Sequence, residues 1–105
     1  MTENSRPHKA FLSFIETYPK LGEAWERARD GETDGPLDEK TRRLVKLAVS
    51  VGAMRQGAVH SGVRKALKAG VTEDEILQIV ALSASTLGFP SAVAAFCWVQ
   101  DVIGD

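Results

Sequence analysis

The chain has 105 residues, a length typical of one domain, and we expect a single domain over residues 1–105. Its 13 lysines and arginines nearly balance its 14 aspartates and glutamates, which gives a net charge of −1. That balance offers no electrostatic reason to expect nucleic acid or an anionic membrane as a partner. Hydrophobic residues make up 44% of the chain, enough for a core, but so short a chain buries only a modest fraction of its surface when it folds alone.

Helical spacing of hydrophobic residues predicts a chain made mostly of helix, with no convincing strand. The first predicted helix carries an apolar stripe formed by Phe11, Phe14, Ile15 and Tyr18. A second, short helix follows Pro19 and stops at Gly31. The turn-rich letters of residues 30–36 then predict a linker.

Two further helices are predicted in the middle of the chain. The third begins near Asp38, a candidate N-cap, and its predicted buried side consists of Leu44, Leu47, Ala48 and Val51. Glycines at both ends of GAMRQG, residues 52–57, favour a break after this helix. The fourth helix ends at Gly70 and carries a predicted apolar stripe of Val59, Val63, Ala66 and Leu67.

The C-terminal third predicts two apolar helices. Thr72 and Glu75 form a T-x-x-E capping box that starts a fifth helix, which runs to about Leu87. Pro90 suits the first turn of a sixth helix, for which we expect inward-facing Val93, Phe96 and Cys97, with Trp98 as a further candidate. The uncharged stretch 76–100 is broken near Gly88, so each half is too short to cross a bilayer. Helices that are apolar nearly all round need cover on several sides, so we expect self-association.

Cysteine usage and the N-terminal letters bear on the compartment. Cys97 is the only cysteine, so it cannot form an internal disulfide, which fits a reducing cytoplasm. The N-terminal stretch MTENSRPHK has no apolar segment behind its charges and does not resemble a secretory signal. We therefore expect a cytoplasmic protein.

Between Leu37 and Val102 the chain carries three segments: LDEKTRRLVKLAVSVGA (37–53), HSGVRKALKAGVTEDEI (60–76) and LGFPSAVAAF (87–96). Their order and spacing resemble the carboxymuconolactone decarboxylase family, which includes the alkylhydroperoxidase D-like proteins. The resemblance implies an all-α fold, an alkylhydroperoxidase D-like bundle of about six helices. It also implies assembly into homotrimers or homohexamers through the apolar helices.

The same resemblance assigns the residues of the family's peroxidase-like branch to positions in this chain. That branch uses a Cys-x-x-Cys, a histidine four residues later and a glutamate on the preceding helix. Counted back without gaps from the A-G-V-T turn, the corresponding residues here are Arg55, Ala58, Gly62 and Arg43. A thiol peroxidase needs one thiolate to attack the peroxide and a second thiol to resolve the product. Cysteine peroxidase activity is therefore not expected.

The family's decarboxylase branch lacks the cysteines and keeps a histidine at the position aligned with Gly62. Here the nearest imidazole is His60, two residues earlier, which is a rotation of about 200° on a helix. Histidine exchanges protons near neutral pH, so His60 is the candidate catalytic residue. The alternative is a partly buried histidine that makes one structural hydrogen bond or lies in an interface. No second metal ligand lies at helical spacing from His60, so we expect no metal.

Arg43 and Arg55 are the candidate substrate-binding residues, because planar guanidinium groups can hold a carboxylate through paired hydrogen bonds. The alternative for both is a solvated basic face shared with Lys40 and Lys46. Two functions stay open. One is a lyase-like enzyme that acts on a small lactone or carboxylic acid without a cofactor. The other is a non-catalytic member that binds a small molecule or another protein.

Overall fold

The computed structural model describes residues 5–104, with side chains from residue 9 onward. Within that range the chain forms six α-helices and no strand: α1 (Ser5–Thr17), α2 (Pro19–Gly31), α3 (Glu39–Gly52), α4 (Gln56–Lys68), α5 (Glu73–Leu87) and α6 (Phe89–Ile103). The predicted all-α fold of about six helices is confirmed. The first four residues of the N-terminal stretch interpreted above lie outside the described residues.

The helices divide into two compact units, Met1–Leu37 and Asp38–Asp105. In the first unit α1 packs on α2, and the closest approach is at Gly22, where an added Cβ would lie 3.0 Å from the Cβ of Ile15. The Phe11 and Trp25 rings meet with centroids 4.8 Å apart, and the Arg29 guanidinium lies 4.7 Å from the Trp25 ring centroid. Aromatic and cation–π contacts therefore hold this helix pair together.

The second unit packs α3, α4, α5 and α6 around one core. The core side chains are all aliphatic: Leu47, Val51, Val59, Val63, Ala66, Val71, Ile76, Val80, Ala95 and Val99. Among the described side chains, no phenylalanine, tryptophan or tyrosine is buried. The described aromatic rings are thus outside the fully buried cluster, although the half-buried Trp98 packs against it.

The predicted helix starts of this unit are confirmed by their capping hydrogen bonds. The Asp38 carboxylate accepts a hydrogen bond from the Thr41 backbone N–H at 2.9 Å. Thr72 and Glu75 form the complete capping box, in which each side chain accepts from the other residue's backbone N–H, at 3.1 and 2.8 Å. These contacts satisfy N–H groups that have no partner inside the helix.

The break between α3 and α4 is also confirmed, but the turn is not made by the two glycines that favoured it. The residue with positive φ in this connection is Met54, at 55°, whereas the glycines at both ends of the segment lie within helices. A left-handed backbone is uncommon outside glycine, so this turn depends on the surrounding helices to hold it.

The prediction for the inward side of α6 was wrong. Val93, Phe96 and Cys97 are exposed, and Trp98 is half-buried. The buried side is formed instead by Ala92, Ala95 and Val99. Because α6 is apolar nearly all round, hydrophobicity alone does not mark its buried side, and the small alanines permit close packing on α4 and α5.

Two smaller differences concern the other helices. Ala48 was predicted to face the core from α3 but is exposed, while its neighbours Leu47 and Val51 are buried as expected. Tyr18 was assigned to the α1 stripe, but it follows that helix and occupies the N-cap position of α2. In the described part of the chain, no helix is both long and apolar enough to cross a membrane.

Candidate functional site

His60 lies on α4 beside the helix's buried stripe. Val59, Val63 and Ala66 turn from this helix into the core, as predicted, and Leu67 is half-buried next to them. The His60 side chain is adjacent to this stripe and only 12% exposed. Helix register thus places an imidazole where the core of the second unit ends and its surface begins.

The imidazole of His60 pairs with a carboxylate on α6. Its Nε2 atom lies 2.9 Å from Oδ2 of Asp101, and the Asp101 side chain is 45% exposed. An ionised carboxylate only accepts hydrogen bonds, so the hydrogen in this pair belongs to Nε2 of the ring. In the neutral imidazole the lone pair is then at Nδ1, the nitrogen that can receive or return a proton.

Gly62, which aligns with the histidine of the family's decarboxylase branch, is a packing point between α4 and α3. A Cβ added at Gly62 would lie 3.3 Å from Cδ1 and 3.7 Å from Cα of Leu47, a fully buried residue. Such a contact is tight, so a side chain at position 62 would require the Leu47 side chain to shift. His60 lies on the other margin of the buried stripe, as the 200° rotation predicted, and its ring contacts Asp101 of α6.

The two arginines predicted to bind substrate belong to the same unit as His60. Arg43 is half-buried on α3, one turn before Leu47, whereas Arg55 is exposed immediately before α4 begins. Neither guanidinium makes a hydrogen bond or ion pair with another residue in the described range. The structure therefore shows no direct link between either arginine and the His60–Asp101 pair.

Asp101 is a residue of the site that sequence reasoning missed. It lies 41 positions from His60, so no local spacing connects the two. The one available signal is that Asp101 is the only charged residue of α6, a helix otherwise composed of apolar and small polar side chains. A single acid in an apolar helix indicates either a specific partner or an edge that faces solvent.

Arg64 was also overlooked, although it is part of the HSGVR stretch that contains His60. It follows His60 by four residues, so the two side chains leave the same side of α4. The side chain is half-buried, and one terminal nitrogen, Nη1, is fully buried without a hydrogen-bond partner in the described range.

The described carboxyl groups with lowered pKa values lie at helix starts rather than at His60. Hydrogen bonds from the side chain and backbone N–H of Thr41 lower the pKa of Asp38. The backbone N–H of Thr72, aided by the charge of Lys40, lowers the pKa of Glu75. These shifts follow from helix capping and concern stability rather than chemistry.

Comparison with known proteins agrees with the sequence resemblance. The sequence model of the Carboxymuconolactone decarboxylase family matches residues 19–101. A 4-carboxymuconolactone decarboxylase from Acinetobacter baylyi (strain ATCC 33305 / BD413 / ADP1) is 28% identical over 95 residues, which are 90% of this chain. The chain covers 65% of the length of that relative.

The fold agrees with a solved structure as well. The apo crystal structure of a carboxymuconolactone decarboxylase family protein from Legionella pneumophila superposes with a TM-score of 0.80 at 22% sequence identity. The match covers 94% of this chain and 92% of the other. At that identity the likeness establishes a shared helical fold.

Proposed function

The chain belongs to the carboxymuconolactone decarboxylase family, and on that premise we propose that it is a lyase acting on a small lactone or carboxylic acid. His60 is the proton-transferring residue in this proposal. The observation that carries it is the 2.9 Å contact between Nε2 of His60 and Oδ2 of Asp101. A histidine held by a carboxylate is a common arrangement for general acid–base chemistry.

The proposed reaction uses the free ring nitrogen of His60. Decarboxylation breaks a carbon–carbon bond, releases CO2 and leaves the bonding electron pair on the remaining carbon. A proton from Nδ1 of His60 then forms the new carbon–hydrogen bond, and solvent returns a proton to the ring. A fixed cation stabilises the negative charge that develops, and Arg43 and Arg55 are the residues that the sequence suggests for this role.

Asp101 is a positioning residue in this scheme. By accepting from Nε2–H it fixes the tautomer that has its reactive nitrogen at Nδ1. Because the pair is partly exposed, its contribution to the free energy of folding is modest, at most about 1 kcal/mol. Loss of Asp101 therefore affects proton transfer more than folding.

The test uses purified protein with 4-carboxymuconolactone, the compound named for the Acinetobacter relative. We expect His60→Ala to lower kcat by about 10²–10⁴-fold, the usual contribution of a positioned acid or base. Asp101→Asn lowers kcat less and changes the pH–rate profile, because the amide accepts a hydrogen bond but carries no charge. Gln56→Ala, an exposed position one turn before His60, is the control. Unchanged turnover in His60→Ala would end the assignment.

A second candidate function is binding of a small molecule without turnover. It is favoured by the absence, at all four aligned positions, of the groups used by the peroxidase-like branch. In that case the His60–Asp101 contact only joins α4 to α6. A screen of aromatic and dicarboxylic acids separates the two functions: a compound that raises the melting temperature but is recovered intact supports binding alone.

We also propose that the chain assembles with copies of itself, as a homotrimer or homohexamer. The support comes from exposed apolar side chains in the second unit, above all Phe89, Val93 and Phe96 on one side of α6. Exposed aliphatic residues on other helices of this unit add to it: Val45 and Val49 on α3 and Leu82 on α5.

We further propose a cytoplasmic location. An exposed single cysteine suits the reducing cytoplasm that the sequence favoured.

A further inference from the structure

The guanidinium of Arg64 carries a buried hydrogen-bond donor that has no acceptor among the described residues. Its Nη1 atom is buried and has no hydrogen-bond partner in the described range. No other atom of this side chain takes part in a hydrogen bond or ion pair with a residue that the structure describes. The remainder of the side chain is only half-buried, so the group lies at the edge of the unit and not in its core.

Such an arrangement is unfavourable without an acceptor. Arginine keeps its positive charge at ordinary pH, and a buried donor on a charged group loses its hydration without replacing it. Buried polar groups in folded proteins almost always have a partner, and an exception calls for a missing ion, water or ligand. The acceptor that best suits a planar cation is a carboxylate, which can receive two parallel hydrogen bonds.

No residue that the structure describes supplies that carboxylate. Asp101 is the only acidic residue of α6, and its Oδ2 atom is engaged with His60. Asp101 contacts His60, and Arg64 lies one helical turn after His60 on α4. Even so, Arg64 and Asp101 form no ion pair in the structure. Among the described residues, the charge of Arg64 is therefore left without an acceptor.

We propose that Arg64 binds the carboxylate of a small organic acid beside His60. Residues four apart on a helix have Cβ atoms about 5–6 Å apart, so one small molecule can contact both side chains. Arg64 is better suited than the exposed Arg55, because partial burial strengthens a charged hydrogen bond. The inference rests on the proposed function for the role of His60, but anion binding by Arg64 can be tested without turnover.

The experiment titrates the protein with benzoate, and with benzamide as the uncharged counterpart, at constant ionic strength. The guanidinium N–H signals of the arginines are followed by NMR. We expect benzoate to shift the signals of Arg64 with millimolar affinity and benzamide to leave them unchanged. Arg64→Gln weakens benzoate binding by about tenfold or more, as expected for loss of a charged hydrogen bond.

Two further variants keep the result interpretable. Arg64→Lys retains the charge but not the planar pair of donors, so it folds and binds benzoate more weakly than the wild type. Lys68→Gln changes the net charge as Arg64→Gln does, at an exposed position on the same helix, and leaves benzoate binding intact. Failure of the wild type to bind benzoate at millimolar concentration, or equal binding by Arg64→Gln, would overturn the inference.

The outcomes also distinguish this inference from the proposed function. His60→Asn should keep benzoate binding while it removes turnover. If benzoate binding depends on Arg64 but no lactone is consumed, the anion site stands and the lyase proposal fails. If turnover depends on His60 but benzoate binding ignores Arg64, the inference fails alone. A change of subunit association in Arg64→Gln with unchanged benzoate binding would instead assign the buried nitrogen to contact with a second copy and overturn the inference.

Discussion

At the scale of single residues, His60 and Gly62 mark two different sides of α4. Gly62 lets the helix approach Leu47 of α3, whereas His60 reaches Asp101 of α6. An alignment that counts positions without gaps treats the two as neighbours, but two residues on a helix are almost opposite one another. The imidazole of this chain is therefore not a slightly displaced copy of the histidine at the aligned position.

Introducing a histidine at position 62 should damage the fold rather than restore that group. We expect Gly62→His to lower the free energy of unfolding by about 1–3 kcal/mol, because a Cβ at this position already lies 3.3 Å from the buried Leu47 side chain. Gly57→His is the matched control, since nothing lies within 4 Å of a Cβ at that glycine of the same helix. It should change stability by less than about 0.5 kcal/mol. Urea denaturation measures both; equal effects would refute the packing argument.

Residue types and spacing singled out His60 as a candidate, but they could not predict its environment. The sequence flags a histidine at the margin of an apolar stripe, and the structure confirms its partial burial. Its partner is 41 residues away on a helix whose orientation depends on packing, so Asp101 could not be inferred. The orphan nitrogen of Arg64 likewise becomes visible only when the helices are assembled.

At the scale of helices, the starts of α3 and α5 depend on acidic side chains at their first turns. Asp38 accepts from Thr41, and Glu75 accepts from Thr72, with the Lys40 ammonium 3.9 Å from a Glu75 oxygen. Each contact favours the ionised carboxylate. The two caps therefore link the stability of the second unit to pH.

Acid should destabilise the second unit through these two caps. The folded-state pKa values of Asp38 and Glu75 are lowered, so below neutral pH the unfolded chain binds more protons than the folded chain. Their contribution is complete above the unfolded-state pKa values, about 4, and is lost as the pH falls through the lower folded-state values. We expect the free energy of unfolding from urea titrations to fall over that range.

A variant that keeps the caps but not their charges provides the control. Asp38→Asn with Glu75→Gln retains side-chain oxygens that can accept from the backbone, while neither amide titrates. Its stability should depend less on pH over the same range. Identical pH profiles for the wild type and this variant would show that other carboxyl groups govern acid stability.

The helices also differ in how much of their structure the local sequence predicts. The capping box at Thr72 and the proline in the first turn of α6 act within a few residues, so the starts of both helices were predicted correctly. The buried side of α6 was not, because Val93 and Phe96 are as apolar as the residues that face the core. Selection of the buried side depends on the shape of α4 and α5, which no local pattern contains.

At the scale of the whole molecule, the second unit places small aliphatic side chains inside and larger apolar ones outside. Phe89 is 76% exposed and Val93 is 55% exposed, on the same side of α6. Contiguous apolar surface of this kind commonly marks an interface between proteins. Burial against copies of the chain would add the cover that a single short chain lacks.

Charge placed on this side of α6 should prevent assembly without unfolding the subunit. We expect Val93→Glu to convert the oligomer to monomers in sedimentation velocity experiments, because a carboxylate in an apolar interface loses its hydration without a partner. Since Val93 is already exposed, the fold should change in stability by less than about 0.5 kcal/mol. Gln78→Glu, at an exposed position on α5, should leave the oligomer intact. A wild-type chain that sediments as a monomer would contradict the assembly proposal.

Because no described aromatic ring belongs to the fully buried core, the positions of the tryptophans determine what fluorescence can measure in this protein. The two tryptophans differ in position: Trp25 is exposed in the first unit, whereas Trp98 is half-buried and packs against the aliphatic core of the second unit. Trp98 emission will therefore respond when that core melts, while Trp25 emission reports on the pair formed by α1 and α2. Because total emission mixes the two, a disagreement between tryptophan emission and backbone circular dichroism would not by itself reveal a folding intermediate.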